Sequence, residues 1–262
     1  MNKALVAAAV ILAAAAVAAI LMRTAPAAPP KFSQLASQGM NSTFTAKYKL
    51  DIEMTEGAVS QSLAASAVYS QSGSLRLFLA MSTSAGPSGR AVFYLATMPS
   101  DGGLELCYLT SAPLGVWLGG CRQLGPSSVA ELQSAKARAL SLMDNITSYE
   151  GQRTVSGYTA YCYAVKGNIT SDELSYILVL PLPSARELRI PYVAQVNGTV
   201  CLSSSGAPLY EDVAVTPTIK LLLMPPPTVK VVVEALQYQP GVFLSENATW
   251  VINRASSLST SS

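Results

Sequence analysis

The sequence contains no histidine, and only 12% of its 262 residues are charged. The first absence removes histidine-based acid–base catalysis, Ser-His-Asp triads and the commonest metal ligand. The second is about half the ~25% charge of ordinary globular chains. With half of the residues hydrophobic, it excludes long disorder. There is no Cys-x-x-Cys, no Ser-x-x-Lys, no Gly-x-Gly-x-x-Gly and no phosphate loop. Zinc-ribbon, thiol-redox, Ser-Lys and nucleotide-phosphate chemistry therefore lack their usual signatures. Of the 17 Lys and Arg, Lys3 and Arg23 flank an N-terminal apolar run; the remaining 15 balance 15 Asp and Glu. A net charge of zero beyond that run argues against nucleic-acid binding, which needs a concentrated cationic surface.

Ala4 to Met22 holds neither a charge nor a Gly or Pro. Two readings of residues 1–23 stay open. A retained transmembrane anchor needs about 20 apolar residues, and the run nearly supplies them. A cleaved signal peptide has a positive start, an apolar core and a small-residue cleavage site, for which Ala25-Pro26-Ala27 is the candidate. Either reading exports the rest of the chain, placing it outside at the cell membrane, or secreted if the segment is cleaved. The four cysteines, Cys107, Cys121, Cys162 and Cys201, all lie in the exported part, as do five Asn-x-Ser/Thr sites at Asn41, Asn145, Asn168, Asn197 and Asn247. An oxidised, glycosylated ectodomain is the expectation. No cysteine follows the apolar run, so there is no lipobox.

Residues 24–30 are Ala/Pro-rich and read as a stiff linker. Lys31–Met40 carries Phe32, Leu35 and Met40 on a roughly helical spacing. Thr43–Met54 alternates without fault: Phe44, Ala46, Tyr48, Leu50, Ile52 and Met54 are apolar, while Thr45, Lys47, Lys49, Asp51 and Glu53 are polar. Period two over that length predicts a half-buried antiparallel strand. Further strands are expected over Leu63–Tyr69, Leu75–Met81, Ala91–Met98, Leu104–Leu109 and Val116–Leu124, with a hairpin at Asp101-Gly102. Ser127–Tyr149 reads as one amphipathic helix. Val129, Leu132, Leu140, Met143 and Ile146 share a face, and Ser128 followed by Glu131 offers a capping box. Strands resume over Thr154–Lys166, Ser175–Leu180, Ile190–Leu202, Leu209–Val215, Ile219–Met224 and Thr228–Tyr238. Residues 246–262 form a Ser/Thr-rich tail, expected to be disordered.

This order predicts one extracytoplasmic domain over residues 31–245, mainly β, with about eleven strands, one short helix and one long helix. Of three connectivities open to four cysteines, 107–121 with 162–201 is preferred, because each pair can lie side by side in a sheet. With neither Cys-x-x-Cys nor histidine, no metal, cofactor or catalytic residue is assigned.

Three stretches carry a resemblance: Phe44-Thr45-Ala46-Lys47-Tyr48-Lys49-Leu50, Gly157-Tyr158-Thr159-Ala160-Tyr161-Cys162-Tyr163, and Val200-Cys201-Leu202 running through Gly206-Ala207-Pro208-Leu209-Tyr210. Their order resembles the lipoprotein-carrier (LolA/LppX-like) superfamily from about Lys31 to Leu244. The resemblance implies a curved antiparallel half-barrel with helices on its concave side, a non-catalytic role, and an apolar cavity for a lipid or lipidated ligand. An anchored chain without a lipobox departs from the soluble and the lipid-tethered members alike; with its sequons it suits an archaeal or similar surface protein. Residues expected to line the cavity are Phe44, Tyr48, Leu50, Leu77, Leu79, Phe93 and Leu95, closed by Leu132, Leu140 and Met143. The plainer reading is that they fill one another's space as core. A structural cell-surface subunit of a filament or envelope layer, associating through strand edges, is the alternative function. An enzyme ranks last: Asp51 and Glu53, Asp172-Glu173 and Glu211-Asp212 show no sign of the fixed carboxylate gap that glycosidases need. Trp117 and Trp250 read as packing residues.

Overall fold

The computed structural model describes residues 29–84, 90–111, 116–170, 193–218 and 227–259. The N-terminal apolar run, and the strands expected over Ser175–Leu180 and Ile219–Met224, lie outside them. In chain order the elements are α1 (Phe32–Asn41), β1 (Thr43–Glu56), β2 (Val59–Ser72), β3 (Arg76–Ser84), β4 (Arg90–Ser100), β5 (Gly103–Ser111), β6 (Trp117–Leu124), α2 (Pro126–Ile146), β7 (Thr147–Val155), β8 (Tyr158–Thr170), β9 (Val193–Ser203), β10 (Pro208–Pro217), β11 (Thr228–Pro240) and α3 (Ser245–Ser259). All eleven strands form one open, curved antiparallel sheet, ordered β6-β5-β4-β3-β2-β1-β11-β10-β9-β8-β7. Neighbours in the sheet are neighbours in sequence except where β1 meets β11, so the chain lays down one half outward to β6, crosses over through α2, and returns from β7 to the centre.

Three sequence expectations are corrected. The long helix begins at Pro126, with Gly125 as N-cap and no side-chain cap, rather than at a Ser128 capping box; proline is pre-organised for a first helical position. It ends at Ile146, because Thr147, Ser148 and Tyr149 enter β7 and pair with β8. The single strand expected from Thr154 is a hairpin: Val155 pairs with Tyr158 around Ser156 and Gly157, both at positive φ, 51° and 81°. Two positive-φ residues define the type I′ turn that suits right-twisted strands. The Ser/Thr-rich tail is not disordered as far as Ser259 but forms α3, whose Ala248, Val251 and Ala255 are fully buried. Their i, i+3, i+7 spacing is a narrow apolar stripe.

Antiparallel pairing puts opposed residues on the same face, so the register defines two faces. One carries Phe44, Tyr48 and Leu50; the other carries Lys49 and Asp51. On the Phe44 face a central cluster joins Phe44, Tyr48, Leu79, Leu95, Leu209 and Tyr238. A second cluster lies beneath α1 and α2, where Phe32, Leu35 and Met143 meet Tyr163, Val165 and Val196. The third cluster is on the Lys49 face, where α3 covers Phe78, Ala96, Cys107 and Leu109. Two helices thus share one face, and the third takes the other.

Local contacts hold the helices. Asp144 of α2 accepts hydrogen bonds from the Ser33 amide at 2.9 Å and the Ser33 hydroxyl at 2.6 Å. It thereby serves the free amide end of α1, whose own Lys31 N-cap has no side-chain bond. Gly39 of α1 lies against Gly206, so close that a Cβ on either residue would collide with the other's backbone. The lead into α3 is tied to β1 and β2: the Thr45 hydroxyl donates to the Val242 carbonyl at 2.9 Å, and the Leu244 amide donates to the Ser70 hydroxyl at 3.0 Å. Cys107 bonds Cys121 across β5 and β6, and Cys162 bonds Cys201 across β8 and β9, with Cα separations of 4.1 and 4.0 Å.

Candidate apolar site

Seven of the residues expected to line a cavity lie on the Phe44 face, but at different depths. Phe44, Tyr48, Leu79 and Leu95 are buried, whereas Leu50, Leu77 and Phe93 are partly exposed. Of the helical candidates, Met143 is buried, while Leu132 and Leu140 are half-buried. Leu140 and Met143 join the second cluster rather than the one built on Phe44. The most buried positions of α2 are Ala135, Ala139 and Met143. Small residues there let the helix come close, and the bulkier Leu132 and Leu140 flank that seam.

Depth follows position along the strands. One end of the sheet is closed by the Gly73, Gly102-Gly103, Ser156-Gly157 and Gly206 turns and by the end of α1. Polar bonds knit this end: the Tyr69 hydroxyl donates to Gln71 Oε1 at 2.7 Å, Gln71 Nε2 donates to the Gly39 carbonyl at 2.7 Å, and the Tyr48 hydroxyl donates to the Pro208 carbonyl at 2.8 Å. Burial raises both phenols well above their ordinary range; for Tyr48 the charge of Glu211 is among the lesser causes. Phe44, at this end, is core.

Towards the other end, the same face opens. One cross-strand row runs Ala65, Leu50, Val233, Glu211, Val200, Tyr163. The next runs Leu63, Ile52, Val231, Val213, Gly198, Val165, and another runs Gln61, Met54, Val229, Val215, Val196. Val165 and Val196 are 1% and 4% exposed beneath the helices, whereas Leu63 and Met54 are 41% and 46% exposed. Ile52, Val213, Val215, Val229, Val231 and Val233 are all half-buried. The result is an apolar surface that α1 and α2 cover along β8 and β9 and leave open along β1, β2, β10 and β11. Sequence reasoning placed the cavity on the β1–β4 side and missed the valines of β10 and β11. The alternation of Val229, Val231 and Val233 was the signal for them.

The two faces differ sharply in charge. The Lys49 face pairs Lys49 with Asp51 at 2.8 Å and Lys230 with Asp212 at 3.2 Å, exposed pairs that contribute little to stability. Across residues 44–54 of β1 and the residues paired with them on β2, β11 and β10, the Phe44 face carries one charge, Glu211. Glu211 keeps some accessible surface, but its carboxyl is desolvated and therefore raised above the ordinary carboxylate value. Among the described residues it makes no hydrogen bond or ion pair. Lys136, beside Leu132 and Leu140 on α2, is half-buried and lowered by the same cause.

Glu105, Cys107 and Cys121 approach one another, but the two sulfurs are bonded to each other and cannot act as thiolate ligands. Trp250 of α3 packs edge to face with both Tyr94 and Trp117, while Trp117 and Tyr94 lie tilted by 30° to each other. No helix among the described residues is long and apolar enough to cross a membrane. All five sequon asparagines are exposed.

No family model and no curated protein matches the chain. Among solved structures, the fold is similar to LprF from Mycobacterium bovis, at 8% identity and a TM-score of 0.39 over 82% of this chain and 95% of that one. It is similar also to a DUF1329 family protein from Desulfovibrio piger, at 8% identity and 0.36 over 82% and 94%. A third is a LolA superfamily protein from Nitrosomonas europaea, at 8% identity and 0.26 over 83% and 97%.

Proposed function

We propose that this domain holds an apolar ligand, of the lipid type, on the half-exposed end of the Phe44 face, and that it does so outside the cytoplasm without chemistry. The carrying observation is the gradient along that face. Its side chains pass from buried at Phe44 to about half exposed at Met54 and Leu63, while the aliphatic character persists. An ordinary solvated sheet surface turns polar where it opens; a large exposed apolar patch marks a binding surface. The resemblance noted in the sequence points the same way. Two disulfides and five exposed sequon asparagines suit an oxidising compartment, reached by way of residues 1–23 as anchor or as signal.

The alternative, a surface-layer or filament subunit, needs strand edges that accept another chain. Among the described strands the two edges are β6 and β7. β6 is flanked by α3. β7 carries a bulge between Tyr149 and Gly151 and the charges Glu150 and Arg153. Bulges and charges are devices that blunt an edge, so the ligand reading is the stronger.

The test is native mass spectrometry of protein purified without detergent, followed by solvent extraction. A stoichiometric apolar mass is expected. After delipidation, a ligand at about 100 times its Kd should stabilise by ~2.7 kcal/mol, or roughly 5–10 °C in Tm for a domain of this size. An apo monomer that gains nothing from a broad lipid panel would return the face to ordinary surface.

A further inference from the structure

We propose that Glu211 selects the ligand: its carboxylate pairs with the protonated amine of a long-chain amphiphile whose apolar chain runs outward along the same face. This rests on the ligand reading above and adds the chemistry of the head group.

The placement carries the inference. Glu211 stands between Val233 and Val200 in its row, with Leu50 and Tyr163 as the next neighbours on either side. Its sequence neighbour Asp212 points to the other face and pairs with Lys230. Each of the acids Asp51 and Asp212 therefore has a lysine on the Lys49 face, while the acid on the apolar face has no hydrogen bond or ion pair among the described residues. A carboxylate between aliphatic row neighbours is costly unless a donor meets it; Val233 and Val200 supply none, and the nearby Tyr48 hydroxyl is given to the Pro208 carbonyl. A ligand ammonium supplies both the hydrogen bonds and the opposite charge. Outward from Glu211 the face continues through Val213 to Val215 on β10, and through Val231 to Val229 on β11. Four residues of extended chain span about 13 Å, room for an alkyl chain to lie along the valines with its amine at the inner end. A carboxylate head would meet like charge, and an alcohol would make a hydrogen bond without the charge.

The experiment uses the full chain, delipidated, with the uncharged dye Nile red bound to the face at neutral pH. Dodecylamine, dodecanol and dodecanoate are titrated as competitors below their micellar concentrations. The amine is expected to displace the dye at about one-tenth the concentration of the alcohol, the fold-change of one charge-assisted hydrogen bond, with the carboxylate weakest. In Glu211→Gln the three competitors should converge while dye binding persists. Glu234→Gln, which removes an exposed acid of the opposite face, should keep the preference for the amine. Equal displacement by amine and alcohol in the unaltered protein, or a preference that survives Glu211→Gln or is lost in Glu234→Gln, overturns the selectivity and leaves the apolar site standing. Absence of dye binding, with no displacement by any chain, defeats the ligand reading itself.

Discussion

At the scale of single residues, Glu211 shows how one side chain can report the character of a whole face. Desolvation raises its folded pKa above the ordinary value of 4.5. A raised acid favours the protonated fold, so below 4.5 the residue costs nothing. As the pH climbs from 4.5 through the folded value, the unfolded chain ionises first and stability falls; above the folded value the penalty is complete. Glu211→Gln removes that penalty. Urea unfolding of the ligand-free protein should find the variant more stable at pH 7 and indistinguishable at pH 3.5. A variant no more stable at pH 7 would mean that the carboxylate is well solvated. The residue was visible in the sequence: Leu209, Glu211, Val213 and Val215 alternate against Tyr210, Asp212 and Ala214. What alternation could not tell was that its neighbours across the strands, Val233 and Val200, are aliphatic too, since pairing partners come from distant segments.

At the scale of elements, α3 is the lesson. Its composition is that of a solvated tail, and Ser and Thr are poor helix formers. Three small apolar residues on one stripe, with Leu244 and Thr45 fastening its start, outweigh that propensity. Tertiary packing commonly does so for short amphipathic helices. Val251 is wholly buried, so Val251→Asp should lower unfolding free energy by about 3 kcal/mol or more, through an unpaired buried charge. Arg254→Ala, on the exposed side, should change it by less than ~0.5 kcal/mol. Denaturant titration of the two variants separates a docked helix from a loose tail; equal, negligible effects would undock it. The missed hairpin at Ser156-Gly157 has a different cause. Apolar and polar residues run on through the turn, so periodicity alone offers no break, and the Ser-Gly dipeptide was the only punctuation.

At the scale of the molecule, an open sheet must bury one face and a part of the other without closing on itself. The two halves of the sheet are joined by the pairing of β1 with β11, and each half carries one disulfide between adjacent strands. The bridges close loops with sequence separations of 14 and 39 residues. Chain entropy then assigns about 3 kcal/mol to Cys107–Cys121 and about 4 kcal/mol to Cys162–Cys201. Paired Cys→Ala replacements, compared by urea midpoint at constant m-value, should follow that order. The reverse order would mean that native packing around the bridges, rather than loop closure, sets their worth.

The sequence by itself determined the local periods: strict alternation made β1, the Asp-Gly step made the hairpin between β4 and β5, the 3.6-residue spacing made α1 and α2, and cysteines on neighbouring strands made one pairing the preferred one of three. These are properties of short segments, set by backbone sterics and by which side chains must leave water. Only the tertiary structure decided which apolar residues are core and which are surface. Phe44 and Met54 stand on the same face of the same strand and obey the same alternation. One is enclosed by Tyr69 of β2 and Tyr238 of β11; the other is left 46% exposed. Burial depends on what arrives from elsewhere in the chain, and no period within a strand encodes that.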